Sequence, residues 1–126
     1  MEVVNGVSGA PAPVGAYSQA VKHGGLVFLA GQIALDPETG QMIEGGVREQ
    51  CAQVLKNLDA VLQGAGSSSS KIVMTTIFLA EISDAAVVNE LYGQFVNAEA
   101  APARQTVAVK DLPLGAKVEI SLIAAE

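Results

Sequence analysis

Few groups in this chain can do chemistry, and two of them stand out by their surroundings. There are two arginines, Arg48 and Arg104. Arg48 falls in the first turn of a helical pattern beside Glu49 and near Glu44, where a solvated ion pair is expected. Arg104 follows Pro102-Ala103 and opens an apolar strand with little local acid to neutralise it. A planar guanidinium in that setting matches a carboxylate bidentately, so a small organic acid is its natural partner; the plainer alternative is a strand-end arginine reaching solvent. Glu119 interrupts Lys117-Val118-Glu119-Ile120-Ser121-Leu122-Ile123-Ala124. Alternation places Val118, Ile120 and Leu122 on one face, with Glu119, Ser121 and Ile123 on the other. A carboxylate partly buried beside Ile123 would have a raised pKa suited to proton transfer near neutrality. Its plainer role is an edge charge that discourages aggregation. Because Arg104 and Glu119 lie on consecutive strands, a hairpin register is one way to bring them close.

Other candidates are weaker. The Tyr17 phenol, just after a Pro/Gly-rich segment, can orient a ligand or a water, or pack with its hydroxyl wet. Gly31 permits close approach of a backbone or ligand, or marks a bulge. Asn89 sits next to the apolar stripe of a helix, where a structural hydrogen bond is expected. Cys51 lies on an apolar stripe and reads as a buried, inert thiol. One cysteine and one histidine, His23, exclude a disulfide framework and multi-Cys or multi-His metal sites. There is no glycine-rich phosphate loop and no nucleophile elbow.

These residues need elements to hold them. The 126 residues read as one domain, residues 1–126, with a formal charge of −6 that leaves no footprint for a phosphate backbone. Half of the residues are hydrophobic and only 16% are charged, more apolar material than a small monomer needs. No apolar run approaches the roughly 18 residues of a membrane span, so a subunit interface is expected to take the excess. The N-terminal residues carry no Arg-rich or apolar targeting pattern, and a reducing, cytoplasmic setting is expected. Residues 16–21 and 26–31 read as strands around Lys22-His23-Gly24-Gly25, placing His23 at an exposed turn. Asp36-Pro37-Glu38-Thr39-Gly40 is a turn in which Asp opens, Pro fixes φ and Gly goes left-handed.

Apolar spacing predicts a helix over 47–62, stopped by Gly64 and Gly66. Residues 71–82 read as a central strand, apolar on both faces. A second helix is predicted over 85–96, capped by Asp84, and two strands over 104–110 and 117–124. The fold class is α+β: two helices on one face of a mixed, mostly antiparallel sheet, whose other face must be covered, most economically by a neighbouring subunit.

Along nearly its whole length the chain resembles the Rid (YjgF-type) family of enamine/imine deaminases. The marks are Ala10-Pro11-Ala12-Pro13-Val14-Gly15-Ala16-Tyr17-Ser18-Gln19-Ala20, Gly31-Gln32-Ile33, Asp36-Pro37-Glu38-Thr39-Gly40, and Gln50 with Leu55-Lys56-Asn57-Leu58. Asn89 with Tyr92, Pro102-Ala103-Arg104, Leu112-Pro113 and Val118-Glu119-Ile120 complete the set. The resemblance implies a chorismate-mutase-like fold, a homotrimer with clefts between subunits, and hydrolysis of 2-imino acids to 2-keto acids and ammonia. Such imines, tautomers of 2-enamino acids, leave pyridoxal-phosphate-dependent dehydratases. No metal or cofactor, no nucleic acid and no membrane is implied.

On the matching positions, Arg104 is the residue that grips the substrate carboxylate and Glu119 the acid/base that handles water. Tyr17 lines the cleft from the neighbouring subunit, and Gly31, Thr106 and Asn89 are substrate-binding positions. The chain departs from the pattern at Ala30, where serine is common, and at Gln105 and Thr106, where a small residue and cysteine are frequent. Two other readings stay open: a non-catalytic binder of small 2-keto or 2-imino acids, and an RNA-directed ribonuclease or translation inhibitor.

Overall fold

The computed structural model describes residues 1–126. The strands are β1 (Glu2–Val4), β2 (Ala20–His23), β3 (Leu26–Gln32), β4 (Ile72–Leu79), β5 (Ala103–Ala108) and β6 (Val118–Ala125), with helices α1 (Val47–Gly64) and α2 (Ala85–Phe95). They form one six-stranded sheet in the order β1-β2-β3-β6-β4-β5. Every pairing is antiparallel except β4 with β5, which the α2 crossover makes parallel. Both helices pack on one face, giving the mixed two-layer α+β architecture expected.

Local chemistry explains the elements. In α1, Cys51, Val54, Leu58, Val61 and Leu62 are fully buried, and burial pushes the Cys51 thiol up to about 11. Glu49 Oε1 accepts the Gly46 N–H at 2.8 Å, satisfying one donor before the first turn. The helix runs through Gly64 to its cap at Ala65, and Gly66 (φ +80) turns the chain away. Gly64 admits close packing of the N-terminal segment, since a β-carbon there would lie 2.6 Å from Val7 Cγ1. The β2–β3 hairpin turns through Gly24 (φ +61) and Gly25 (φ +80) alone, so β2 is residues 20–23 and residues 16–19 are not strand. His23 is exposed, as expected.

The expected Asp84 cap is absent, and the solvated ion pair expected of Arg48 forms with a different partner. Asp84 makes no side-chain cap, because a 3₁₀ turn at Ile82–Asp84 already leads into α2. Arg48 pairs with Glu90 of α2 at 2.9 Å, not with Glu44 or Glu49, since the Glu49 carboxylate is turned back onto Gly46.

Register separates the two faces of the sheet. One row, Val4–Ala20–Leu29–Leu122–Thr75–Arg104, runs across all six strands beneath the helices. The core of α1, α2, Val27, Ile77, Leu79 and Ile120 is built on this side. The adjacent row, Val3–Val21–Phe28–Ile123–Met74–Ala103, is apolar throughout and lies on the face without helices. Phe28 is 40% and Val107 43% exposed on that face. This is where the compositional excess of apolar residues sits. No helix is long and apolar enough to cross a membrane.

Candidate functional site

The six candidate residues fall into two groups of three. Tyr17, Gly31 and Glu119 line one cavity of about 600 Å³; Arg104, Asn89 and Thr106 line another of about 160 Å³. The expected hairpin between the last two strands is absent. β4 lies between β5 and β6, so the strands of Arg104 and Glu119 are roughly 10 Å apart, and the register offsets the two residues by three positions along β4. They also face opposite ways: Arg104 pairs with Thr75 on the helix side, whereas Glu119 pairs with Phe78 on the open side. Within one chain the two side chains therefore do not meet.

The Glu119 group is shaped by close packing. β3 carries an irregularity between Leu29 and Gln32, and Gly31 sits there against the Glu119 side chain. A β-carbon on Gly31 would lie 2.5 Å from Glu119 Oε2 and 3.1 Å from its Cδ. Absence of that carbon is what lets the carboxylate lie across β3. Burial raises the Glu119 carboxyl above its ordinary value, and no cation lies close enough to oppose the shift. Around it stand Pro11, Ala12, Val14, Ile33, Leu35 and Leu114. Tyr17 Oη accepts the Val14 N–H at 3.3 Å, so the phenol closes its own loop and keeps its proton for the cavity.

Buried amides hold this loop cluster in place. Gln19 donates Nε2 to Pro11 O at 2.8 Å and accepts the Val7 N–H at 3.0 Å, tying the N-terminal segment to β2. Asn57 of α1, fully buried, donates Nδ2 to Leu35 O at 3.0 Å and fixes the chain leaving β3. Gln50 Oε1 accepts the Lys117 N–H at 2.9 Å, anchoring the entry to β6. Apolar periodicity gave these residues no role. For Gln50 and Asn57 the signal was a polar side chain at a position of helical apolar spacing, as Asn57 is between Val54 and Val61.

The Arg104 group is built differently. The guanidinium lies 5.2 Å from the centroid of the Tyr92 ring and donates to Asn89 Oδ1. Tyr92 is itself fixed by donating its hydroxyl to the buried Thr75 Oγ1 at 2.9 Å. Burial raises the Tyr92 phenol, while the Thr75 bond and the Arg104 charge pull the other way. Arg104 makes no ion pair, so its charge stays uncompensated at an exposed edge strand. Asn89 thus makes the structural hydrogen bond expected of it, with Arg104 as its partner, and Thr106 stands two residues along on the same face.

Such an arrangement can hold a carboxylate on one half and move a proton on the other. Comparison with known proteins agrees with the fold. The sequence model of the family described as endoribonuclease L-PSP matches residues 7–126. A 2-iminobutanoate/2-iminopropanoate deaminase of Rattus norvegicus is 44% identical over 94% of this chain and 86% of its own length. The crystal structure of the conserved Rid-family protein YyfA from Yersinia pestis superposes with a TM-score of 0.94 and 43% identity, covering 99% of this chain and 98% of that one. E. coli TdcF with bound serine gives a TM-score of 0.91 at 35% identity over 100% and 99% of the two chains. On a match that spans almost every residue and a shared fold, this chain belongs to the Rid family, the proteins described by the endoribonuclease L-PSP model.

Proposed function

We propose that this protein hydrolyses 2-imino acids, the tautomers of 2-enamino acids, to 2-keto acids and ammonia. Its sites would be completed between copies of the chain in a homotrimer. The observation that carries the reading is the division of the site: a free arginine on the helix side and a desolvated carboxylate on the open side, each without its complement. A neighbouring copy that covers the apolar row would carry one half-site towards the other. Relatives named as imine deaminases, and a structural neighbour that binds serine, an amino acid with the same carboxylate end, support it.

The chemistry follows from the groups available. Arg104 takes the substrate carboxylate through charge-assisted bonds and fixes where the C=N carbon lies. Water adds to the carbon of the protonated imine (C=NH₂⁺) as Glu119 removes one water proton, which leaves a neutral carbinolamine. Glu119 then gives that proton to the nitrogen, the C–N bond breaks as the hydroxyl oxygen becomes the carbonyl, and the hydroxyl proton passes back to the Glu119 carboxylate as ammonia leaves. An imine is already electrophilic, so positioning and one mobile proton suffice.

The test is the decay of 2-aminoacrylate or 2-aminocrotonate generated in situ by a dehydratase. Acceleration by the wild type, lost in Arg104→Ala with assembly intact by sedimentation, supports the reading. An unchanged rate in Arg104→Ala overturns it. Ligand binding without turnover, indifferent to Glu119→Gln, would make the protein a metabolite binder instead. RNA affinity with a steep salt dependence would favour a nuclease, against a net charge of −6.

A further inference from the structure

Leu114 is the one residue other than glycine with positive φ (φ 56, ψ 26). A β-carbon is disfavoured in that conformation, and glycine, which follows at Gly115, adopts it freely. The side chain that keeps this backbone strained is not used for packing the core, since Leu114 is 75% exposed. It stands on the rim of the Glu119 cavity, as does Val14, 82% exposed on a different loop. Pro11, Ala12, Ile33 and Pro113 add to the apolar lining of the same cavity. Two aliphatic side chains held in solvent thus stand on the rim of a cavity that also holds the half-buried Glu119 carboxylate. Strained conformations persist where the surrounding structure has a use for them.

We infer that Leu114, with Val14, is a specificity-determining residue that selects 2-imino and 2-keto acids with a branched aliphatic side chain over those with a methyl group. The inference rests on the proposed site, in which Arg104 holds the carboxylate end. With that end fixed and the reacting carbon beside Glu119, the substrate side chain runs along the apolar rim. Adding methyl and methylene groups then buries surface against Leu114 and Val14. One such group is worth on the order of tenfold in an enclosed apolar pocket, and on an open rim the added groups together retain at least that much.

The experiment reads binding, so it does not depend on turnover. Affinities for 4-methyl-2-oxopentanoate and for pyruvate are compared by calorimetry in the wild type, Leu114→Ala and Leu114→Gly. The expected wild-type ratio favours the larger acid by about tenfold or more, and both variants bring it towards unity. Leu114→Gly should also melt above Leu114→Ala, because only glycine removes the strain. A wild-type ratio near unity, or a ratio that both variants leave unchanged, overturns the inference. So does a change of sedimentation in the variants, which would assign Leu114 to contact between copies. A protein that binds with this selectivity but hydrolyses no imine overturns the deaminase reading and leaves the role of Leu114 standing. One that hydrolyses imines without regard to side-chain size does the reverse.

Discussion

The Arg104 half and the Glu119 half solve opposite problems. Arg104, the carboxylate-holding group of the proposed reaction, stands on an exposed edge strand with neutral partners, the Tyr92 ring and the Asn89 amide, which leave its charge available. An acid in either position would bind the guanidinium and compete with a ligand. Glu119, the proton-exchanging group of the proposed reaction, is drawn into an apolar cavity on an interior strand, where burial disfavours its charge. One half is tuned by what touches it, the other by the loss of water. Mutations should therefore act on the two halves through different variables.

Arg104→Ala is the strongest way to break the pair. It should lower kcat/KM on in situ imines by on the order of 10³-fold, the scale of removing one partner of a hydrogen-bonded charge pair. Glu119→Gln should cost on the order of 10²-fold, as for a general acid–base group acting on a reactive substrate. Its pH profile is the sharper readout. Burial raises the carboxyl, so wild-type kcat/KM falls as pH drops through that raised value, and Glu119→Gln flattens the limb. Stability moves with the opposite sign. The folded form holds this proton more tightly than the unfolded chain does. Its contribution is full below the unfolded pKa and is lost as pH rises through the folded one. Glu119→Gln should then melt above the wild type at neutral pH, with the gap closing on acidification.

Smaller effects sharpen the contrast. Gly31→Ala places a β-carbon where the Glu119 carboxylate now lies, and should lower kcat by about tenfold with KM little changed. Tyr92→Leu removes the ring under Arg104 and should raise KM about fivefold, the scale of an exposed cation–π contact. Tyr92→Phe keeps the ring and orphans the Thr75 hydroxyl, so it should spare KM and cost about 1 kcal/mol of stability in denaturant melts. Arg48→Ala breaks an exposed ion pair and should leave Tm within experimental scatter.

What could be read from sequence depended on how local the physics was. The α1 stripe, the alternation in β6 and the Asp36–Gly40 turn are set by neighbours a few residues away, and each formed where expected. In the turn, Asp36 Oδ1 accepts the Glu38 N–H at 2.8 Å and Gly40 has φ +72. The partial burial of Glu119 was legible for the same reason, since its alternation partners are apolar. Strand order was not legible. β6 enters between β3 and β4, a choice made by long-range packing, and it converts a supposed hairpin partner of β5 into a strand two places away. β1, three residues long, carries too little pattern to be seen. The conformation of Leu114 was hidden because its type argues against it.

The placement of Arg104 and Glu119 on opposite faces has a genetic consequence. If each site takes its arginine from one copy and its glutamate from the next, two dead proteins can repair each other. Mixed and reassembled in equal amounts, Arg104→Ala and Glu119→Gln chains would join an intact arginine to an intact glutamate at about a quarter of all junctions in a closed ring. A site made within one chain would recover nothing.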